Sequence, residues 1–335
     1  MSYREIFDDI KTGRFKRLYL FYGPEEYIKM QALAQMTAAI APEAFTALNI
    51  HVMDEGSAGA QDIIASCETL PFMGGMRLVA VKDYAGFKTK KAAGDDELKD
   101  YLKRIPESTC LVFYNRGDVD KSRELYKAVS KIGTVIEFER LKGPELTKWT
   151  ASAFKKSGKK ISAADLDYFL FLVGNRLEDI ANEVQKLAAF AGEASVVTRA
   201  AIDSVVSPLP EHTIFQLIDA IAERDGDSAL LLLDELTGSG QAILGINVML
   251  FRHLKYLLQC KRLVKNGHKQ KEIAEALKIQ PFRAQKYMGQ CRGFTEEQLV
   301  KAMDECLELD YGFKRGKIGD RLGIEMIIVR MCLNN

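Results

Sequence analysis

The first 140 residues alternate between short apolar runs and longer segments with helical spacing of apolar residues. Runs rich in β-prone residues occur at Leu18–Tyr22, Asn49–Met53, Arg77–Val81, Cys110–Tyr114 and Thr134–Phe138. These runs are nearly continuous in apolar residues, which is typical of strands buried on both faces of a parallel sheet. Between them, Glu25–Ile40 and Gln61–Leu70 repeat apolar residues at helical spacing. The pattern predicts an α/β domain with a doubly wound parallel sheet.

After residue 138 the strand pattern stops and helical periodicity continues to Leu333. Ser162 and Thr198 precede apolar-periodic segments as N-cap residues do. Thr295, with Gln298 three residues later, forms a capping-box pattern at the start of a helix predicted to end at Asp310. A further long helix is predicted over residues 241–265.

The segment Ser207-Pro208-Leu209-Pro210 is the best candidate linker, because two prolines cannot continue a helix. The sequence therefore predicts an α/β domain over 1–140, a small helical domain over 141–208 and a helical C-terminal domain over 209–335. The fold class is α/β plus all-α.

Composition leaves the class of partner open. The chain has 335 residues, 47% of them hydrophobic, and 47 Lys plus Arg balance 46 Asp plus Glu. No global charge excess points to nucleic acid, so any such surface must be local. The N-terminus lacks a signal-peptide pattern, and no apolar run reaches the ~20 residues of a membrane span. The six cysteines are widely spaced, which favours a reduced cytoplasmic protein without a zinc site or disulfide framework.

The turn after the first predicted strand is where a phosphate-binding loop would lie. It reads Gly23-Pro24-Glu25-Glu26, with Lys29 followed by Met30. A nucleotide site needs GxxxxGK[ST], in which backbone N–H groups, a lysine and a hydroxyl hold phosphates and magnesium. Here a proline removes a donor and two glutamates place negative charge where anions would bind. We expect no ATP binding, no nucleotide cofactor and no ATPase activity from the isolated chain.

Other catalytic patterns are weak. Asp83, at the end of the third predicted strand, is a lone acid and is better explained as an ordinary strand-end carboxylate than as a metal ligand. The histidines lie in separate segments, without metal-ligand spacing. No catalytic residue and no metal site is predicted.

Three segments together resemble the delta subunit family of the bacterial DNA polymerase III clamp loader. They are Leu18-Tyr19-Leu20-Phe21-Tyr22-Gly23-Pro24-Glu25-Glu26-Tyr27, Thr69-Leu70-Pro71-Phe72-Met73-Gly74-Gly75-Met76-Arg77-Leu78-Val79 and Gly174-Asn175-Arg176-Leu177-Glu178-Asp179-Ile180-Ala181-Asn182-Glu183-Val184-Gln185-Lys186-Leu187. Their order and spacing, with an α/β start and an all-helical end, extend the resemblance along essentially the whole chain.

The resemblance implies an AAA+ fold that has lost its nucleotide site, followed by a helical lid and a helical collar. It also implies a role in DNA replication, within the DNA-directed DNA polymerase (nucleotidyltransferase) holoenzyme. The first domain would bind the sliding clamp (beta subunit) and open one interface of its ring. The collar would join the gamma/tau and delta prime subunits in a hetero-pentamer that loads the clamp on primed DNA. No membrane partner is implied.

The candidate clamp-binding residues are Leu70, Pro71, Phe72 and Met73, which follow the predicted helix 61–70. Apolar anchors that enter a pocket are the usual energetic centre of an interface. Pro71 and the Gly74-Gly75 pair favour an exposed, sharply turned tip. The alternative is a helix end that folds its last apolar residues onto the sheet. Met73 departs from the aromatic residue often found there in the family.

A basic segment over 252–292 carries eleven Lys or Arg against two acids. Its candidate DNA-facing residues are Arg252, Lys255, Lys261, Arg262 and Lys265, since phosphate contacts depend on positive charge. A solvated helix face or a contact with acidic neighbours explains the segment equally well. A DNA-binding adaptor is therefore the alternative to a clamp-opening subunit. An active ATPase motor is a third possibility, which the missing GK[ST] turn disfavours.

Overall fold

The computed structural model describes residues 3–41, 43–54, 59–73, 75–88, 94–315 and 320–333. The chain forms two compact units, Met1–Leu141 and Lys142–Asn335. The predicted further division of the second unit at residue 208 stays a prediction.

Five described strands of the first unit form one parallel sheet. They are β1 (Leu18–Tyr22), β2 (Ile50–Met53), β3 (Arg77–Lys82), β4 (Thr109–Tyr114) and β5 (Thr134–Glu137). The order across the sheet is β2-β3-β4-β1-β5, and every neighbouring pair is parallel. Each predicted strand is confirmed to within one residue at either end.

The helices of the first unit cover both faces of the sheet. They are α1 (Arg4–Thr12), α2 (Glu26–Ile40), α3 (Thr46–Asn49), α4 (Ala60–Glu68), α5 (Asp95–Tyr101) and α6 (Glu124–Ile132). Leu18 and Leu20 of β1 pack in one buried cluster with Ile63 of α4 and Val129 of α6. The intervening Tyr19 faces the other way and donates from its hydroxyl to Asp9 of α1 at 2.8 Å. The predicted doubly wound α/β class is confirmed.

The second unit is mostly helical. Its helices are α7 (Gly143–Lys156), α8 (Ala163–Val173), α9 (Leu177–Phe190), α10 (Arg199–Val205), α11 (Pro210–Ala222), α12 (Gly226–Gly238), α13 (Ile243–Lys265), α14 (Gln270–Leu277), α15 (Pro281–Gln290), α16 (Glu296–Lys314) and α17 (Asp320–Leu333). The expectation that strands stop after residue 138 is wrong, because β6 (Lys160–Ile161) and β7 (Val196–Val197) form a small parallel sheet. Two-residue strands are too short to leave a periodic pattern.

The predicted helix starts are confirmed by cap hydrogen bonds. The Ser162 hydroxyl accepts from the Asp165 N–H at 3.0 Å, and the Thr198 hydroxyl caps α10 in the same way. Thr295 and Gln298 form the reciprocal capping box at distances of 2.8 and 3.1 Å. The helix that they open ends at Lys314 rather than at Asp310.

A buried aromatic cluster lies among α11, α13 and α15. The His253 ring lies 4.3 Å from the Phe215 ring and 4.8 Å from the Tyr287 ring, measured between centroids. Its Nε2 lies 2.7 Å from Oε1 of buried Gln290. Burial lowers the pKa of His253 to about 3, so this histidine is neutral in the folded protein at ordinary pH.

Candidate functional site

The segment after α4 carries the predicted anchors as an exposed apolar tip. Leu70 is 78% exposed, Phe72 is 49% exposed and Met73 is 77% exposed, whereas Pro71 is half-buried. Soluble proteins rarely leave neighbouring large apolar residues in water unless a partner covers them. The alternative in which these residues fold onto the sheet does not describe this structure.

Three hydrogen bonds to its last carbonyl groups end α4 before this tip. The Thr69 hydroxyl donates to the Ala65 carbonyl at 3.0 Å, and the Thr109 hydroxyl donates to the Cys67 carbonyl at 2.8 Å. Arg77 Nε donates to the Ser66 carbonyl at 3.1 Å. Carbonyls at a helix end need partners outside the helix, and these bonds supply them. The helix therefore ends at Glu68, two residues earlier than predicted.

Asn49, at the end of α3, holds the tip in place. Its side chain donates to the Phe72 carbonyl at 3.1 Å and accepts from the Phe72 N–H at 2.7 Å. Asn49 is buried, with 4% exposure. The Phe72 ring also contacts the Phe45 ring, with centroids 5.8 Å apart. The backbone of Phe72 is thereby fixed while its side chain remains half in solvent.

Helix α3 extends the exposed apolar surface beside the tip. Leu48 is 50% exposed, and the Arg77 guanidinium donates to its carbonyl at 2.7 Å while also bonding Ser66 of α4. Arg77 thus ties the end of α4 to α3.

The sequence singled out Leu70, Pro71, Phe72 and Met73 but missed Phe45, Leu48, Asn49 and Arg77. Only the fold brings these two groups together, because Asn49 and Phe72 lie 23 residues apart in the chain. Met73 has a φ of 62° and Gly75 a φ of 81°, which fits the predicted sharp turn. Gly74 lies outside the described residues.

The turn after β1 uses its own backbone groups internally. The Gly23 N–H donates to the Gly117 carbonyl at 2.7 Å, and the Glu25 N–H donates to the Phe138 carbonyl at 2.9 Å. Gly23 has a φ of 107°, and a Cβ there would lie 2.6 Å from the Phe138 oxygen. Pro24 has no N–H to offer. The backbone N–H groups that a phosphate-binding loop needs are thus already hydrogen-bonded at Gly23 and Glu25 and missing at Pro24.

Lys29, which stands near the position of a phosphate-binding lysine, is buried beneath this turn. Its Nζ donates to the carbonyls of Gly23 at 2.8 Å and Asn115 at 2.6 Å, and to Glu26 Oε1 at 2.7 Å. An ammonium group has three donors, so these three acceptors use all of them. Burial lowers the pKa of Lys29. The lysine serves the fold and has no donor left for a ligand.

Asp83 also has partners within the first unit. Its carboxylate accepts from Lys88 Nζ and from Arg116 Nε, each at 2.6 Å. Burial by itself raises the pKa of Asp83, but these hydrogen bonds outweigh it and hold the pKa below its ordinary value. The geometry favours the strand-end carboxylate that the sequence suggested over a metal ligand.

The candidate DNA-facing residues all lie on α13, and three of them form ion pairs or hydrogen bonds within the second unit. Arg252 pairs with Glu211 at 3.2 Å, and Arg262 pairs with Glu296 at 2.9 Å. Lys261 donates to the Cys291 carbonyl at 3.1 Å. Lys255 and Lys265 are exposed. Two of the five candidate cations are therefore matched by acidic groups of the same unit.

Two negative findings concern the described residues alone. They contain no group of three His, Cys, Asp or Glu side chains placed to hold a metal ion. None of their helices combines the length and the apolar composition needed to cross a membrane.

Comparison with known proteins identifies the family. Residues 19–139 match the model of the DNA polymerase III delta subunit, and residues 211–331 match the model of its C-terminal domain. The DNA polymerase III subunit delta of Bacillus subtilis is 27% identical, covering 99% of this chain and 97% of that protein. The probable delta subunit of Aquifex aeolicus is 23% identical, covering 85% and 82%. The solved Bacillus subtilis clamp loader delta protein superposes with a TM-score of 0.61 at 27% identity, covering 98% of this chain and 99% of that one. The chain belongs to the delta subunit family of the DNA polymerase III clamp loader.

Proposed function

We propose that this chain binds the sliding clamp through the apolar tip and opens one interface of the ring. The exposure of Leu70 and Phe72 on a segment fixed by Asn49 is the observation that carries the proposal. An anchor held in place before binding loses less conformational freedom when it enters a pocket. Membership in the clamp loader delta family supports the sliding clamp as the partner, and the exposure of the tip supports it as the point of contact.

Opening follows from binding only if the two states of the clamp differ in affinity. A ligand shifts an equilibrium by no more than its preference for one state. The tip must therefore bind the open interface more tightly than the closed one. This chain needs no chemical step to do so. That agrees with the turn after β1, whose backbone N–H groups are hydrogen-bonded within the fold.

The second unit offers a separate surface for assembly with other loader subunits. Leu322, Met326, Val329 and Leu333 of α17 are exposed at helical spacing, while Ile324 and Ile328 are buried. A helix that is apolar on more than one face is normally covered on each of them. We assign this exposed stripe, which we call the α17 stripe, to contact with an apolar helix of a neighbouring gamma/tau or delta prime subunit.

DNA contact is a secondary proposal and is limited to the assembled loader. Lys255 and Lys265 are exposed on α13, whereas Arg252 and Arg262 are paired with acids. The DNA-binding adaptor alternative would instead require the lone chain to bind DNA with an affinity that falls steeply as salt rises.

The direct test mixes the purified chain with sliding clamp in the absence of nucleotide and measures complex formation by size-exclusion chromatography with light scattering. A stable complex supports the proposal. Two separate peaks at concentrations well above those of the loader in cells would refute it.

A further inference from the structure

A cleft in the second unit contains polar groups that the proposed function does not use. It lies between α11, α13 and α15 and has a volume of about 150 Å³. Pockets for whole small-molecule ligands usually measure about 300–1,000 Å³, so this cleft suits a single chemical group. The buried aromatic cluster around His253 forms part of its wall.

Arg283 of α15 lines this cleft without an acidic partner. It is half-buried, and its guanidinium lies 5.8 Å from the centroid of the Phe171 ring. Within the described ranges of the chain it forms no ion pair and no hydrogen bond. A guanidinium carries five N–H donors in a planar fork that matches an oxyanion. Arg283 therefore offers a positive charge and a set of donors to a ligand in the cleft.

The Tyr287 hydroxyl is a second unused donor at the same cleft. Tyr287 is 4% exposed, and its ring lies 4.8 Å from the rings of both Phe215 and His253, measured between centroids. No group in the part of the chain that the structure describes forms a hydrogen bond with its hydroxyl. Burial raises the pKa of Tyr287, so the hydroxyl keeps its proton and can donate. Because buried polar groups are nearly always hydrogen-bonded, this hydroxyl favours an acceptor at the cleft.

The charges on the wall of the cleft leave one positive charge unmatched. Arg252 and Arg283 are its cations, and Glu211 is the one acid among the described residues that line it. Glu211 pairs with Arg252 at 3.2 Å, so the unmatched charge is that of Arg283. His253 adds no charge, because burial lowers its pKa to about 3. A singly charged anion would neutralise the cleft, whereas a doubly charged one would leave excess negative charge beside Glu211.

We propose that this cleft binds the carboxylate of an aspartate or glutamate side chain from another loader subunit. This inference rests on the proposed assembly of the second unit with those subunits. Arg283 pairs with the carboxylate, and the Tyr287 hydroxyl donates to it. Ile214 and Met249 also line the cleft. Their apolar surface favours the methylene groups of a protein side chain over the polar sugar that flanks a DNA phosphate.

The first test titrates the full-length chain with sodium acetate at constant ionic strength and follows the arginine Nε–H signals by NMR. The Arg283 signal, identified by its absence from the R283Q spectrum, should shift and saturate in the millimolar range. Y287F keeps the ring and loses only the donor, so it should need more acetate. An Arg283 signal that does not move would overturn the proposal. Tighter binding of inorganic phosphate than of acetate would also overturn it, in favour of a nucleic-acid phosphate.

The second test measures the affinity of the parent, R283Q and R292Q for the other loader subunits. R283Q should bind about tenfold more weakly or worse, because it removes one partner of a buried charge pair. Arg292 is an exposed arginine of the same unit that does not line the cleft, so R292Q is the matched control and should bind like the parent. Circular dichroism shows whether each variant is folded. If R283Q does not fold, Y287F replaces it, with a smaller expected loss.

Assembly as tight as that of the parent, in both R283Q and Y287F, would overturn the proposal. A parent chain that does not assemble at all would instead contradict the proposed function and exclude a loader subunit as the source of the carboxylate. The acetate titration needs only the lone chain, so it still decides whether the cleft binds a carboxylate.

Discussion

The Asn49 side chain forms hydrogen bonds with both backbone polar groups of Phe72, donating to its carbonyl at 3.1 Å and accepting from its N–H at 2.7 Å. These two hydrogen bonds connect α3 to the backbone of the tip. They fix the point from which the Phe72 ring and its neighbours project. A binding surface built on a loop gains affinity from such fixation.

Replacing Asn49 by Ala should weaken clamp binding although the anchors themselves are unchanged. Each hydrogen bond contributes about 1 kcal/mol, so the substitution removes roughly 2 kcal/mol of stabilisation of the tip. If all of it is lost from the binding free energy, the affinity falls by at most about 30-fold. Titration of the variant with clamp, well below its melting temperature, measures the effect. T46A, on the same helix but outside these two bonds, is the matched control. Unchanged affinity in N49A would show that the tip does not need Asn49.

Replacing Lys29 by Met should destabilise the first unit. It should not affect nucleotide binding, which we expect to be absent from both the parent and the variant. The change leaves the carbonyls of Gly23 and Asn115 and the Glu26 carboxylate without their shared donor, at a cost on the order of 3 kcal/mol. Thermal unfolding measures that loss. Calorimetric titration of the parent and of K29M with Mg-ATP should give no saturable heat. A one-to-one isotherm for the parent would contradict the assignment of Lys29 to the fold.

The sequence located the sheet because apolar runs such as Leu18–Tyr22 are buried on both faces and leave a clear pattern. It overextended α4 to Leu70, because the bonds from Thr109 and Arg77 that end the helix come from residues distant in the chain. It placed Lys29 near the turn, but the three acceptors that surround Nζ could not be inferred from spacing. It identified the anchors of the tip from their chemistry and missed Asn49, whose role exists only in the folded chain.

Charging the α17 stripe should block entry into the loader while leaving clamp binding intact. M326E/V329E places two carboxylates on exposed positions, so the fold should tolerate them, whereas an apolar partner helix would have to bury them. Reconstitution with the other loader subunits on a sizing column measures assembly. L231E, an exposed leucine of α12 in the same unit, serves as the control. Co-elution of M326E/V329E with the full assembly would exclude the α17 stripe from the interface.

Acid should destabilise the second unit through His253. Its pKa in the folded chain, about 3 because of burial, lies below the ~6.5 of an exposed histidine. The unfolded chain therefore binds the proton more readily, and stability falls as pH drops from about 6.5 toward 3. Between pH 7 and pH 5 this histidine alone should cost about 2 kcal/mol, at one proton and ~1.4 kcal/mol per pH unit.

The check is the free energy of unfolding as a function of pH for the parent and H253F. The variant is less stable at neutral pH, since Gln290 Oε1 loses its neighbour, but its pH slope should be shallower. His212, whose pKa burial also lowers, remains in both proteins and cancels in the comparison. Equal slopes would mean that His253 is not the titrating group.

The central claim is that Leu70 and Phe72 are anchors for the clamp and not part of the core. Each is worth about 1.5–3 kcal/mol if buried in a partner, so L70A/F72A should lose about 3–6 kcal/mol of binding. That is roughly a hundredfold or more in affinity, at tenfold per 1.4 kcal/mol. Because both side chains are exposed in the free chain, the melting temperature should change little. M30A/I132A removes two other exposed apolar side chains of the same unit and should leave both quantities unchanged.

Clamp affinity and melting temperature, measured together on L70A/F72A, test this account most directly. We predict a loss of affinity of a hundredfold or more with the melting temperature close to that of the parent. A variant that binds the clamp as tightly as the parent, or one that loses binding only because it melts much earlier, would contradict the account.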